Sequence, residues 1–408
     1  MDINLVPTEL IIKIFDYLDQ KSILNLPKVC RRWRIICEQH KKIDLVRFNW
    51  MEIKKGYKNI DSIFSRFHKI QGIFLDYKRE IYEFGTKKDR EIREKMLDLL
   101  PQHVQNLKRI IIYKNGSLKD IRDLLNPNLT ELHLFYCHSI TNESFHTISK
   151  ICSKLKVLSL QTQEMKGSSL INIAKNCPKL CFLDVGSCIN LSIDEITKIW
   201  AWIPDLEYLS LRHFATNDTY ENFEPLISSI ADGCKKLKAI NFESSHISDS
   251  DILMLKAFPN LKSLNIRCCE LIHNQGLINV SKLIDLTEIL IGLNSVTNYE
   301  IDVITKTCTK LKLFDISHSL FVTQKGMNSI IQNAPQIENL NVYNCFNLKI
   351  NVNLLNVLKT DLKMKTLCIS WRRGNVISKE KYPFVIYDES IFERSHYTYY
   401  VSTHSSYF

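Results

Sequence analysis

Apolar residues in this chain return as a fixed trio: one residue, two free positions, a second, one free position, a third. Leu129, Leu132 and Leu134 show the spacing most plainly. It recurs as Leu107/Ile110/Ile112, Leu155/Leu158/Leu160, Leu180/Leu183/Val185, Leu206/Leu209/Leu211, Leu237/Ile240/Phe242, Leu261/Leu264/Ile266, Leu286/Ile289/Ile291, Leu311/Phe314/Ile316, Ile337/Leu340/Val342 and Met364/Leu367/Ile369. Between middle residues the steps are 22, 26, 25, 26, 31, 24, 25, 25, 26 and 27 residues. The last two members of each trio alternate with polar neighbours, which predicts a short strand with one buried face. After several trios a Thr/Ser next to Asn/Asp/Gln precedes apolar residues at helical spacing. Thr141-Asn142 leads into Phe145 and Ile148, Ser248-Asp249 into Ile252 and Leu255, Thr297-Asn298 into Ile301 and Ile304, and Thr323-Gln324 into Met327 and Ile330. These pairs are helix-capping chemistry and predict one amphipathic helix per unit.

A unit of roughly 20 to 29 residues built on L-x-x-L-x-L is the signature of the leucine-rich repeat. No single unit buries its own apolar face, whereas stacked units do. The expected fold is therefore an α/β leucine-rich-repeat solenoid over residues 107–370, a horseshoe with a parallel sheet on the concave face and helices on the convex one. The free trio positions and the residues just after them would line the concavity: His133, Phe135, Tyr136, Gln161, Asp184, Arg212, His213, Glu243, Arg267, Asp315, His318, Tyr343, Asn344 and Trp371. Their mixed charge, with Arg, Tyr and Trp as anchors, suits a protein partner. The alternative is that many of them only satisfy neighbouring strands. The 31-residue step holds an insertion at 213–223, either a binding loop or a tolerated surface loop.

Residues 1–48 break the period. Pro7 suits a first helical turn, and Leu10, Ile14 and Leu18 recur every four residues as one apolar stripe. Ser22 would cap a second short helix carrying Leu24 and Leu26, and residues 31–39 place Trp33, Ile36 and Cys37 on one side of a third. Three short helices in so few residues need a neighbour to lean on. The order Pro7, Glu9-Leu10, Ile14-Phe15-Asp16-Tyr17-Leu18 and Val29-Cys30-Arg31-Arg32-Trp33 resembles an F-box, with Val6 where that family usually has Leu. The repeat grammar with its cysteines likewise resembles the Cys-containing leucine-rich repeats that commonly follow an F-box. The resemblance implies docking on a Skp-type adaptor, and through it on a cullin, by Val6, Pro7, Leu10, Ile14, Leu24, Leu26, Val29, Cys30 and Trp33. Some of these, Trp33 and Leu18 above all, could equally serve only to hold the three helices together.

Residues 49–106 are expected to link and cap the solenoid. Ile70, Ile73 and Leu75 fit a degenerate first repeat, and residues 87–100 read as a helix with Ile92, Met96, Leu99 and Leu100 inward, ended by Pro101. Residues 371–408 form a cap and an aromatic-rich tail, with 384–386 as a closing strand.

Composition adds exclusions. No run of 18 apolar residues occurs, and the first residues lack the basic and apolar regions of a secretion signal, so a cytoplasmic or nuclear location is expected and a membrane partner is not. Eight of the thirteen cysteines follow the repeat: Cys152, Cys177, Cys234 and Cys308 lie three residues before a trio, and Cys137, Cys188, Cys269 and Cys345 three after one. That placement describes small core side chains rather than a metal or redox site. The net charge of +10 is interspersed, +7 of it within residues 41–109, and gives little support to nucleic-acid binding. No catalytic motif or glycine-rich fingerprint is present, and His133, His213 and His318 lack partners at consistent spacing. The expected function is a non-catalytic substrate receptor of an SCF-type ubiquitin ligase, without cofactor or metal, holding a protein target on the concave face. The alternative is an interaction scaffold that delivers no ubiquitin.

Overall fold

The computed structural model describes residues 7–16, 26, 29–40, 45–49, 63–64, 70–77, 87–113, 118, 120–161, 165–188, 190–214, 222–360, 362, 364–370 and 380–387. They fall in two compact units, Met1–Leu180 and Cys181–Phe408.

In the first unit, helices α1 (Thr8–Asp16) and α2 (Arg31–His40) precede strands β1 (Leu45–Asn49) and β2 (Gly72–Asp76). Helices α3 (Lys87–Leu99) and α4 (Pro101–Val104) follow, then β3 (Arg109–Tyr113), β4 (Glu131–Phe135), α5 (Asn142–Ile151), β5 (Val157–Leu160) and α6 (Gly167–Asn176). The five strands pair in parallel and in sequence order, with Val46, Ile73, Ile110, Leu132 and Leu158 in one row. Ile70, Ile73 and Leu75 are buried, as a degenerate repeat requires. The ladder starts earlier than the trios indicate: β1 lies at the end of the expected helical module and carries only Val46 and Phe48 inward. Ile92, Met96 and Leu100 are buried while Leu99 is half-exposed, and Pro101 opens α4 at its first turn, where its missing N–H costs nothing.

The second unit alternates β6 (Phe182–Asp184), α7 (Ile193–Ile196), β7 (Tyr208–Ser210), α8 (Glu224–Gly233), β8 (Ala239–Asn241), α9 (Asp249–Met254), β9 (Ser263–Asn265) and α10 (Asn274–Val280). It continues with β10 (Glu288–Leu290), α11 (Asn298–Thr307), β11 (Leu313–Asp315), α12 (Gln324–Asn333), β12 (Asn339–Asn341), α13 (Val352–Thr360), β13 (Thr366–Cys368) and β14 (Val385–Ile386). The strands are again parallel and in order, and the middle trio residues align from Leu183 through Leu367 to Val385. Strand β14 closes the ladder where a capping strand was expected. Both units are thus built as leucine-rich-repeat solenoid, with a helical segment between most successive strands among the described residues.

The capping grammar divides its labour between repeats. Thr297 and Glu300 form a reciprocal capping box at the start of α11, as Ser248 and Asp251 do for α9. The residue after the cap serves the next repeat instead. Asn142 accepts from the Lys166 N–H (3.1 Å), Asp249 from His273 (2.8 Å) and Asn298 from Thr323 (2.9 Å). The Ser248-Asp249 and Thr297-Asn298 pairs therefore finish their own helix and fix the entry of its neighbour, whereas at Thr141-Asn142 only the second of these two uses is made by a side chain, a cross-repeat use that linear spacing does not reveal.

The cysteine ladder is core. Cys177 donates its thiol to the Cys152 carbonyl at 3.3 Å, Cys269 to Phe242 at 3.1 Å and Cys345 to Ile316 at 3.2 Å, each one repeat back. Burial pushes the thiols of Cys152, Cys177, Cys234 and Cys269 up to about 12, so they remain protonated and unreactive. Among the described residues no three His, Cys, Asp or Glu side chains cluster as metal ligands. No helix among them is long and apolar enough to cross a membrane.

Candidate functional site: a helical docking face and a strand ladder

The amino-terminal helices start from a backbone constraint: Pro7 opens α1, its carbonyl accepting the N–H groups of Leu10 and Ile11 at 3.1 Å. The stripe that faces inward is Ile11 and Phe15, each 1% exposed, one position along from the expected Leu10/Ile14/Leu18 register. Leu10 points outward at 49% exposure, and Leu18 lies outside the described residues. Leu26, Ile36 and Cys37 complete this small core, and Phe15 meets the Trp33 ring edge-on at 5.2 Å. Cys30 acts as the N-cap of α2, its sulfur accepting the Trp33 N–H at 3.4 Å.

The nine residues assigned to adaptor docking therefore separate. Pro7, Leu10 and Val29 are exposed, Leu26 is buried, and Cys30 and Trp33 are half-buried. Val6 and Leu24 lie outside the described residues, as does the side chain of Ile14, whose backbone is helical. Leu26 packs the helices rather than presenting itself. Ile35, which the pattern did not single out, is 42% exposed on α2. Its signal in the sequence was an apolar residue on the polar side of a short helix.

The open face of the strand ladder has a regular geometry of its own. Two residues after the end of a trio the backbone turns left-handed, at Tyr136, Ser187, His213, Ser244, Cys268, Leu293, His318 and Asn344, with φ between 53° and 64°. Hydrogen bonds to the next repeat hold most of these residues; the His213 N–H, for example, donates to Glu243 at 2.8 Å and that of His318 to Tyr343 at 2.7 Å. Just before that turn, side-chain oxygens of Asp184, Asn241, Asn265, Asp315 and Asn341 accept the N–H two residues on, at 2.8 to 3.0 Å. This row of Asx turns ends each strand and bends the chain toward its helix.

Several residues expected on a binding face are consumed by this architecture. His133, Gln161, Asp184, Arg267 and Asp315 are buried, between 0% and 4% exposed, which corrects their reading as accessible contacts. Neighbouring strands stand about 4.8 Å apart, so a side chain on one strand is packed between those of the adjacent repeats. Phe135, Tyr136, Arg212, His213, Glu243, His318, Tyr343 and Asn344 remain half-buried or exposed, and Trp371 lies outside the described residues. The insertion is anchored at both ends: Phe214 and Phe223 are buried and meet edge-on at 6.2 Å, while residues 215–221 lie outside the described set.

Two arginines on this face were paired only by folding. Arg212 lies over Gly186, where an added Cβ would come within 3.1 Å of its Nε and 3.0 Å of Asp184 Oδ1. Arg267 reaches two repeats on to bring its Nε 3.5 Å from Asp315 Oδ2 and its Nη2 3.4 Å from Ser317 Oγ. Burial pushes the Asp315 carboxyl upward while Arg267 pulls it down.

His133 shows what burial does to a candidate base. Burial, helped by Arg109, pushes its imidazole down to about 3, so it stays neutral on β4, stacked 5.6 Å from Phe135. The unfolded chain protonates near pH 6.5 and the folded one does not, so stability present above that pH is lost as pH falls below it. Between neutral pH and pH 4.5 the loss should reach roughly 2 to 3 kcal/mol. Urea titrations of wild type and His133→Leu at both pH values test this; equal pH sensitivity in the two proteins would exclude it.

An F-box-like family model matches residues 3–43. The chain is 27% identical over 260 residues to F-box protein SKIP19 of Arabidopsis thaliana, which covers 60% of this chain and 79% of that protein. It is 24% identical over 210 residues to F-box/LRR-repeat protein 4 of Bos taurus, covering 49% of this chain but only 28% of the bovine protein. In fold it is similar to a chain from the crystal structure of the yeast Rad7 and Elc1 complex, with a TM-score of 0.52 at 14% identity, covering 91% of this chain and 93% of that one. In its F-box-like segment followed by stacked, cysteine-bearing strand-and-helix repeats, this chain is similar to the F-box/leucine-rich-repeat proteins.

Proposed function

We propose that this chain is the substrate-recognition subunit of an SCF-type ubiquitin ligase. Its F-box would bind a Skp-type adaptor, and through it a cullin, while the repeats hold a protein target. The observation that carries the reading is the division of labour in the amino-terminal helices. Ile11, Phe15, Leu26, Ile36 and Cys37 fill their core, yet Pro7, Leu10, Val29 and Ile35 stay exposed beside it. Apolar groups on so small a module are what an obligate partner covers. The chain itself performs no bond chemistry in this scheme; it raises the effective concentration of target lysines near a charged conjugating enzyme.

The test is co-purification and titration with a recombinant Skp-type adaptor. Leu10→Asp combined with Val29→Asp should weaken binding by about 100-fold or more, because two apolar anchors are replaced by charges that must be desolvated. Both side chains are exposed, so the thermal melt of the free chain should stay unchanged. Unaltered adaptor affinity in the double variant would refute the docking face. A target whose lifetime does not lengthen on deletion of residues 1–48 would instead favour a scaffold without ubiquitin delivery.

A further inference from the structure

The loops that leave β11 and β12, with the first turn of α11, carry an apolar surface that the strand ladder does not use. Tyr299 is 62% exposed, Leu320 52%, Phe321 60% and Phe346 54%. Three successive repeats supply them, and cross-repeat bonds hold them together. Thr297 and Phe321 form a parallel bridge, Asn298 donates to Thr323 Oγ1 at 3.0 Å, and the Asn347 side chain donates to the Leu320 carbonyl at 2.6 Å. The patch is therefore fixed by the same stitching that fixes the helix starts. Counting from the end of the trio, the position of Leu320 is Phe346 in the β12 repeat and Ile189 in the β6 repeat, but His138, Glu270 and Ser295 in the β4, β9 and β10 repeats, so the repeat itself does not require an apolar residue there. Large exposed rings on neighbouring repeats are uncommon on a surface that meets only water.

Among the described residues, the exposed charges of the patch that lack an ionic partner are positive. In these loops and the helical turns they enter, Glu300 is buried in its capping box and Asp302 is held by Lys306 at 2.6 Å. Lys325 and Lys349 are exposed and form no ion pair among the described residues. We propose that this rim is a docking site for an acidic segment of the target protein that also carries aromatic or aliphatic side chains, with Leu320 and Phe321 as the central anchors and Lys325 and Lys349 reading its carboxylates. Aromatic anchors with charges at the margin are the arrangement in which a few residues dominate affinity while the charges set partner choice. The proposal rests on the reading of the chain as a receptor for a protein target.

The probe is a fluorescein-labelled synthetic peptide alternating Phe/Leu with Asp/Glu, titrated by anisotropy into the full-length chain. Matched peptides carry Ser in place of the apolar residues or Lys in place of the acids. The acidic apolar peptide should bind, and both matched peptides should bind at least roughly tenfold more weakly. Leu320→Ser with Phe321→Ser should cost about tenfold without moving the thermal melt, and Lys325→Glu with Lys349→Glu should shift the preference toward the Lys peptide. Equal affinity for the Ser peptide, or no effect of either double variant, overturns the proposal. So does concentration-dependent self-association in sedimentation that Phe321→Ser abolishes, because a second copy of the chain would then be the occupant. Adaptor binding, read on the opposite terminus through Leu10 and Val29, distinguishes failure of the rim from failure of the receptor reading.

Discussion

Asp315→Ala is expected to destabilise the second unit by about 3 to 5 kcal/mol, the usual consequence of stripping one partner from a buried ion pair. The carboxylate is 0% exposed and Arg267 is 3% exposed, so the guanidinium left behind cannot turn to water. The same change removes the acceptor of the Ser317 N–H, held at 2.9 Å, and so opens one turn of the ladder. The pair is an expensive arrangement in which burial and Arg267 pull the carboxyl in opposite directions. Replacing both partners should therefore restore most of what either single change loses. Arg267→Met with Asp315→Leu is the appropriate pair, because the equivalent position in β10 is already an apolar Leu290, 1% exposed. Chemical denaturation of the two single variants and the double variant measures the coupling. A loss below about 1 kcal/mol in Asp315→Ala, or a double variant no better than the worse single one, would mean that the pair is not energetically closed.

Gly233→Ala should cost about 2 to 4 kcal/mol even though alanine is the better helix former. Gly233 ends α8, which lies against the turn Trp200–Trp202. A Cβ there would sit 2.6 Å from the carbonyl carbon and the Cβ of Trp200 and 2.8 Å from its carbonyl oxygen. These are largely backbone atoms of a residue that is itself 1% exposed, so no flexible side chain can swing aside. Ser228→Ala on the exposed side of the same helix is the control: helix propensity alone predicts a small gain there. Hydrogen exchange across α8 and residues 200–202 would place the damage, since solenoid repeats open locally before they unfold together. A Gly233→Ala protein as stable as wild type would show that helix and turn are not in the close contact described.

What was legible in the sequence is whatever depends on residues within one repeat. The trio spacing gives the strand row, because burial of one strand face needs only alternation over a few positions. The Thr/Ser caps give the helix starts, since a hydroxyl reaches only the next turn of its own chain. The cysteine positions give core sites, because they keep fixed offsets from the trios. The strand β1 is not legible in the sequence because only Val46 and Phe48 carry the pattern and the spacing to the next trio is irregular.

Exposure on the open face was decided otherwise. His133, Gln161, Asp184, Arg267 and Asp315 share the spacing of residues that remain accessible, yet each is closed off. Whether a strand residue sees water depends on the bulk of side chains standing beside it from repeats roughly 25 positions away in either direction, and for Arg267 from 48 positions away. The inward register of α1 was set in the same manner, by Trp33 meeting Phe15 rather than by the stripe on the helix alone. The chain's own letters therefore determined its repeat, its caps and its resemblance to a family. Only the stacking of one repeat on another decided which polar residues became structure and which stayed free to bind, because burial is a property of neighbours that linear spacing does not name.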